Sequence, residues 1–108
     1  MKLCTFVLLT ILVFPPATYA GKINGTLRQD SRSVGHGVPI QITCAQGAYP
    51  GTTNERGAYS IYVNETGNCS FELPDFPGAE HPINSYRDPV RYDFELIRQG
   101  DGYVLRRR

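Results

Sequence analysis

The stretch TTNERGAYSIYV, residues 52–63, predicts a tight turn that runs directly into a β-strand. Asn54 and Gly57 favour the turn, because Asn bonds to nearby backbone and Gly accepts a positive φ. From residue 58 onward apolar and polar side chains alternate, which places Tyr59 and Ile61 on one face. This period of two is typical of a strand with one face in a core and one face in water.

Residues 1–20 have the layout of a secretory signal peptide. Lys2 supplies a positive charge, residues 3–14 are almost entirely apolar, and small residues precede the expected cleavage site before Gly21. The apolar run is too short to span a bilayer, so we expect no transmembrane segment. We therefore predict a single exported domain, residues 21–108, that is periplasmic in a bacterium or secreted.

Alternating runs recur along this domain and are separated by Gly, Pro, Asn and Asp, whereas no window repeats at helical spacing. We predict strands at residues 22–28, 38–45, 58–63, 69–73, 90–98 and 103–107, with a further short strand as an option within 46–52. Residues 29–37 and 74–88 are expected to be irregular. Six or seven short strands favour an all-β fold, a small antiparallel Greek-key β-sandwich.

The cysteines predict one disulfide. Cys4 lies in the predicted signal peptide, which leaves Cys44 and Cys69 as an even pair in an oxidising compartment. Cys44 ends one predicted strand and Cys69 begins another, so antiparallel neighbours would bring the two together. The chain has no CxxC pair, and neither His36 nor His81 stands at a ligand spacing from a cysteine. We expect no metal and no cofactor.

The charge balance excludes a general attraction to polyanions. The chain has 11 Lys and Arg against 10 Asp and Glu, and loss of Lys2 with the signal peptide makes the numbers equal. A neutral domain creates no broad field for nucleic acid or for anionic membranes. We therefore expect no nucleic-acid partner.

Residues 25–73 resemble the carboxypeptidase regulatory-like family, a transthyretin-like (prealbumin-like) β-sandwich. The family shows a Thr, an Asn or Asp, a Gly and then an aromatic at the turn before a core strand. The matching residues are Gly25-Thr26-Leu27, Gly37-Val38-Pro39-Ile40-Gln41-Ile42 and the turn residues Thr53, Asn54, Gly57 and Tyr59. The resemblance implies a transthyretin-like topology and a non-catalytic accessory role. Residues 88–93 and 106–108 have no counterpart in the family pattern.

An enzyme is not expected. Related transthyretin-like hydrolases use His and Arg residues and a C-terminal Tyr-Arg-Gly-Ser, whereas residues 103–108 read YVLRRR. His36 and His81 fall in predicted loops, and the carboxylates are scattered along the chain. General acid–base catalysis needs such groups within hydrogen-bond reach of one substrate. A small secreted hydrolase stays open as the alternative.

Two segments are candidates for binding. The predicted loop 74–88 carries Phe76, His81, Tyr86 and Arg87, and long loops in small domains often carry function. Tyr and Arg are favoured interface residues, although these rings could equally cap the sandwich. The run Arg106, Arg107 and Arg108 would either contact an anionic partner or protect an exposed strand edge.

These residues lead to the functional hypothesis of an exported non-catalytic binding module of the cell envelope or secreted fraction. Its partner would be a protein or a polysaccharide. A second alternative is an inhibitor-like or structural accessory that docks on an exported enzyme through one sheet edge. Asn24, Asn64 and Asn68 begin N-glycosylation sequons, which matter only in a eukaryote.

Overall fold

Two β-sheets form the protein, as shown by a computed structural model that describes residues 21–108. In chain order the strands are β1 (Gly21–Gln29), β2 (Arg32–Ser33), β3 (Pro39–Cys44), β4 (Ala48–Thr52), β5 (Ala58–Val63), β6 (Gly67–Glu72), β7 (Glu80–Ser85), β8 (Val90–Arg91), β9 (Phe94–Gln99) and β10 (Gly102–Arg107). The described residues contain no helix, so none there could span a membrane. The predicted signal peptide lies outside the described residues.

The sheets differ in size. One has four strands in the order β4-β3-β6-β7, all antiparallel. The other has six strands and is built around β1, which pairs with β5 and β2 on one side and with β8 and β9 on the other. β10 pairs with β9 and forms the far edge. The all-β sandwich is thereby confirmed, but it is not antiparallel throughout as predicted, because β1 pairs in parallel with β8 and β9. The Greek-key and transthyretin-like parts stay predictions.

The core lies between the sheets and follows the alternation of each strand. In β1 and β5 every second residue is buried, including Ile23, Leu27 and Ile61. Phe71 of one sheet and Phe94 of the other are fully buried, with ring centroids 4.8 Å apart. Burying each such side chain contributes roughly 1.5–3 kcal/mol, so the two rings help to hold the sheets together.

The predicted disulfide is confirmed and lies within the four-stranded sheet. Cys44 at the end of β3 stands directly opposite Cys69 in β6, with their Cα atoms 4.2 Å apart. Antiparallel pairs without mutual backbone hydrogen bonds bring side chains closest, which suits a bridge between neighbouring strands. The bridge joins residues 25 apart in sequence and fixes the register of two central strands.

Three of the predicted segments are wrong in part. The predicted loop 74–88 contains a full strand, β7, and the predicted strand 90–98 is interrupted at residues 92 and 93. β7 tolerates Pro82 because it is an edge strand and its proline has no ladder bond to lose on the outer side. The loop 29–37 also contains the short strand β2.

The interruption at residues 92 and 93 places Tyr92 and Asp93 against the centre of β1. The Asp93 carboxylate accepts from the Thr26 backbone N–H at 2.9 Å and from the Thr26 hydroxyl at 3.0 Å, replacing a ladder bond. The Tyr92 carbonyl accepts from the buried Tyr59 hydroxyl at 2.6 Å. A Cβ at Gly25 would overlap that carbonyl oxygen, so only glycine fits here.

Candidate functional site

The candidate binding residues are distributed over two ends and one side of the sandwich. One end, called here the hairpin end, carries the turns 54–57, 73–79 and 99–102. The opposite end, called the disulfide end, carries the turns 44–47, 64–66 and 86–89. The strand β7 runs between the ends, so the residues of the predicted loop 74–88 are separated by it.

Phe76 lies at the hairpin end in a tight turn. Its ring packs edge to face on Tyr103, with centroids 5.1 Å apart, and the next residue's carbonyl accepts from the Tyr103 N–H at 2.9 Å. Phe76 is half-buried by these contacts, while its neighbours in the turn are exposed. Phe76 therefore caps the fold in the structure.

His81 packs inward from β7. Its ring centroid lies 5.0 Å from that of Phe94, and its Nδ1 lies 2.7 Å from the Pro82 carbonyl oxygen. Because a carbonyl only accepts, Nδ1 carries the proton of this contact. The imidazole is thus held by one ring and one backbone oxygen at the edge of the four-stranded sheet.

Tyr92 completes the closure of that edge. Its hydroxyl accepts from the Asn84 N–H at 2.9 Å and donates to the Asn84 carbonyl at 3.3 Å. In an edge strand every second residue directs its backbone N–H and C=O away from the sheet, and Pro82 and Asn84 are both such residues of β7. Pro82 has no N–H, and its carbonyl is the one that faces His81. The outer edge of β7 is consequently occupied by the chain itself.

The arginines at the end of β10 have defined partners. Arg106 forms an ion pair with Glu95 at 3.0 Å on the outer face of the six-stranded sheet. The Arg107 guanidinium lies 4.4 Å from the centroid of the Tyr92 ring and donates to the Arg91 carbonyl at 3.1 Å. The backbone N–H of Arg108 donates to the Asp93 carbonyl at 2.8 Å. These contacts extend the pairing of β10 past the strand interruption.

Asp93 is the carboxylate at the centre of this group. Partial burial opposes its ionisation, but hydrogen bonds from Arg91 and Thr26 outweigh that effect, so the pKa of Asp93 is lowered. Arg91 lies 2.9 Å away and is largely exposed. The lowered pKa keeps Asp93 ionised as the acceptor that joins β1 to the interrupted strand.

Tyr86 and Arg87 lie at the disulfide end, directly after β7. Tyr86 is one of the two exposed large aromatic side chains in the described part of the chain, at 51%. The backbone beneath it is fixed, because a Cβ at Gly21 would overlap the Tyr86 carbonyl oxygen. The exposed Tyr86 ring, carried on backbone packed against β1 and followed in sequence by the exposed residue Arg87, is suited to a contact with another molecule.

The turn residues of the family resemblance form a hydrogen-bonded unit at the hairpin end. The buried Thr53 hydroxyl donates to the Gly35 carbonyl at 2.6 Å and accepts from the Val38 N–H at 3.0 Å. The Asn54 side chain accepts from the N–H groups of Arg56 and Ala58. These bonds tie the turn to neighbouring loops.

Gly57 and Tyr59 complete the unit. Gly57 has a φ of 74°, and a Cβ there would lie 2.7 Å from the Leu27 carbonyl oxygen. Burial raises the pKa of Tyr59, which keeps its hydroxyl protonated as a donor to the Tyr92 carbonyl. The four turn residues thus serve the packing of β5 on β1.

Among residues 21–108 the most exposed large aromatic is Tyr62 on β5, at 69%. Its ring lies on the outer face of the six-stranded sheet, 6.0 Å from the Lys22 ammonium. A surface depression of about 390 Å³ adjoins the same strand, lined by His36, Thr52, Thr53, Asn54, Ala58, Tyr59 and Ser60. Tyr49, by contrast, donates to Glu65 at 2.8 Å and belongs to the other sheet. The tyrosines at positions 49, 62 and 86 therefore do not share one surface.

The sequence did not predict that Pro82, Asn84 and Tyr92 protect the outer edge of β7. It also did not predict that the outer edge of β5 is accessible at Ser60. The outward position of Tyr62 was readable from the alternation of residues 58–63, but which strands are edges was not. Within residues 21–108 no cluster of three or more His, Cys, Asp or Glu is placed to hold a metal ion.

Comparison of the chain with protein-family models, with curated proteins and with solved structures found no match. The resemblance to the carboxypeptidase regulatory-like family therefore depends on the residues quoted above and stays a prediction.

Proposed function

We propose that this protein is an exported, non-catalytic binding module of the cell envelope or secreted fraction, and that it contacts a protein or polysaccharide partner through Tyr86 and Arg87. The observation that carries the proposal is the half-exposed Tyr86 ring on a backbone that is packed against Gly21. A rigid aromatic presents contact area at little entropic cost.

The use of the reactive side chains supports a non-catalytic role. His81 contacts Phe94 and the Pro82 carbonyl, and Asp93 holds β1 through Thr26. Arg106 and Arg107 are engaged with Glu95 and with the Tyr92 ring. Groups committed to packing and to strand pairing in this way are supports of the fold rather than an assembled reaction centre.

The disulfide supports export. Disulfides persist in oxidising compartments and are rare in the cytosol, and the Cys44–Cys69 bridge joins two adjacent strands of this domain. Together with the signal-like layout of residues 1–20, the bridge favours a periplasmic or secreted location.

The test compares capture of partners from the native envelope or secreted fraction, and from a polysaccharide array, by immobilised protein. Replacing Tyr86 and Arg87 together by Ala removes the exposed ring and guanidinium, and we expect at least a tenfold loss of captured partner, as for a hot spot worth about 1.4 kcal/mol or more. The control Arg98→Ala removes an exposed arginine near the hairpin end. Equal capture by the double variant and the native protein would place the contact elsewhere, and turnover of a small molecule would contradict the non-catalytic role.

A further inference from the structure

Apart from the two-residue strand β2, the two sheets have four outer strands, β4, β5, β7 and β10, and three of these are protected against pairing with another chain. The Cys44 N–H donates to the Gly47 carbonyl and the Thr53 N–H donates to the Val38 carbonyl, so these residues direct their backbone groups toward each other across β3 and β4. The alternate residues of β4, including Pro50, direct their backbone groups outward. Pro50 has no N–H to offer there, as Pro82 has none on β7. Both edges of the four-stranded sheet therefore carry a proline at an outward position.

The β10 edge is protected by burial. The outward N–H of Tyr103 donates to the Pro77 carbonyl at 2.9 Å, and Leu105, the next residue in the same phase, is only 6% exposed. Arg106 and Arg107 add like charges along the strand. A second copy of β10 placed alongside would bring these charges together.

β5 is the exception. The Leu27 N–H donates to the Gly57 carbonyl at 2.8 Å, so Gly57 directs its backbone toward β1. Because this direction alternates along a strand, Ala58, Ser60 and Tyr62 direct their backbone groups away from β1. Asn54 satisfies both groups of Ala58. Among residues 21–108 nothing bonds to the outward groups of Ser60 and Tyr62, and both residues are exposed.

We propose that β5 pairs with β5 of a second copy of this chain, antiparallel and about a two-fold axis at Ile61. In this register Ser60 stands opposite Tyr62 of the second copy, and each pair exchanges two backbone hydrogen bonds. The two six-stranded sheets then form one continuous sheet, and the exposed Tyr62 ring is covered from the side. An isologous contact of this kind closes as a dimer.

The charges along the register favour a second copy over an acidic or basic segment of another protein. β5 itself carries no charged residue. Because Lys22 pairs with Tyr62 and Asn24 pairs with Ser60, each row across the joined sheet reads Lys22, Tyr62, Ser60 and Asn24. No like charges stand opposite each other, and the polar ring of Tyr62 meets the small side chain of Ser60. Cross-strand pairs without like charges stabilise a sheet.

The experiment measures self-association of the disulfide-bonded exported protein by sedimentation from about 1 µM to about 1 mM, a range that covers weak and moderate dimers. We expect a reversible dimer whose dissociation constant changes little with salt, together with slower exchange of the Ser60 and Tyr62 amides at high concentration. A monomer throughout this range overturns the proposal, as does association that leaves both amides exchanging unchanged.

Two variants locate the contact. Ser60→Pro removes an outward donor without touching the pairing with β1 and should weaken the dimer at least about tenfold, since each copy loses a hydrogen bond. The matched control Ala48→Pro adds a proline in the outward phase of β4, which Pro50 already blocks, and should leave the dimer unchanged. Tyr62→Lys places one cation from each copy at diagonal positions across the two paired β5 strands, and the repulsion between them should also dissociate the dimer.

Circular dichroism checks that each variant folds. If Ser60→Pro unfolds the monomer, Tyr62→Lys decides the outcome, because its side chain projects from an exposed face. Dimerisation that is unchanged in Tyr62→Lys overturns the proposal. The binding of another protein at Tyr86 and Arg87 is measured separately, so that either proposal fails without the other.

Discussion

The two sheets of this protein differ in how they end. Both outer strands of the four-stranded sheet are protected against pairing with another strand. Pro50 on β4 and Pro82 on β7 have no N–H to donate, and the backbone groups of Asn84 on β7 are already hydrogen-bonded to Tyr92. The six-stranded sheet ends at β5 with the groups of Ser60 and Tyr62 exposed. The four-stranded sheet thus excludes pairing by removing or satisfying backbone donors, whereas β10 in the six-stranded sheet combines burial with like charges.

The largest effect is expected at the centre of the six-stranded sheet. Gly25→Val places a side chain against the Tyr92 carbonyl, which displaces the residue that also caps the four-stranded sheet. We expect a loss of more than about 4 kcal/mol and no cooperative unfolding transition by circular dichroism. Gly47→Ala is the control, since no atom lies closer than 3.7 Å to its added Cβ. A well-folded Gly25→Val protein would contradict the close approach.

Loss of the disulfide tests the closed sheet by itself. Replacing Cys44 and Cys69 together by Ala should lower the free energy of unfolding by about 2–5 kcal/mol, as expected for a native bridge in a small domain. Thermal melting measures the loss, and reduction of the native protein should give a similar shift. Intact mass of the native protein should be two hydrogens below the reduced value. Equal melting of variant and native protein would show that the bridge contributes nothing.

Tyr92→Phe should make the backbone groups on the outer edge of β7 accessible. Without the hydroxyl the Asn84 N–H and carbonyl lose their partner, which should cost about 1–3 kcal/mol. Hydrogen exchange should show faster exchange at the Asn84 amide. Tyr103→Phe is the control, because its hydroxyl makes only a long contact of 3.5 Å with Arg98. An unchanged Asn84 exchange rate would mean that the hydroxyl does not protect this edge.

The smallest effect is a pH dependence at the joint between the strands. The folded pKa of Asp93 lies below its unfolded value, so its stabilisation is present above pH 4 or so and is lost as the pH falls through the folded pKa. Asp93→Asn should flatten the decrease in stability in that acidic window while lowering stability at neutral pH. Urea unfolding at a series of pH values measures both, and parallel curves for the two proteins would contradict the role of Asp93.

Much of the fold was predictable because periodicity reports burial. The alternation at 58–63 predicted β5, and the even pair of cysteines at strand ends predicted the bridge. β7 was missed because prolines in a sequence indicate a loop, whereas an outer strand accepts Pro82 without losing a bond.

The interruption in the strand 90–98 was also hidden from the sequence. Tyr92 and Phe94 are both buried, so the alternation continues through the interruption. What ends the ladder is the Asp93 side chain, which takes the place of a backbone acceptor for Thr26. Such a contact joins residues 67 apart and has no local signature.

The candidate site was predictable only as separate residues. Phe76, His81 and Tyr86 fall within one short segment of sequence, but a strand between them carries Phe76 and Tyr86 to opposite ends. His81 faces inward because β7 alternates, which no loop would impose. Tertiary placement of the edge strands therefore decides which aromatic residues are accessible.

The position of β1 has a consequence for the order of assembly. This strand is the earliest to leave the ribosome among the described residues, yet its main partners, β5, β8 and β9, are contributed by residues 58–99. Pairing over such distances is slow, typically milliseconds to seconds, and cannot finish until the last third of the polypeptide has been synthesised. A chain that postpones its central pairing in this way acquires its compact shape only after most of its length has been synthesised.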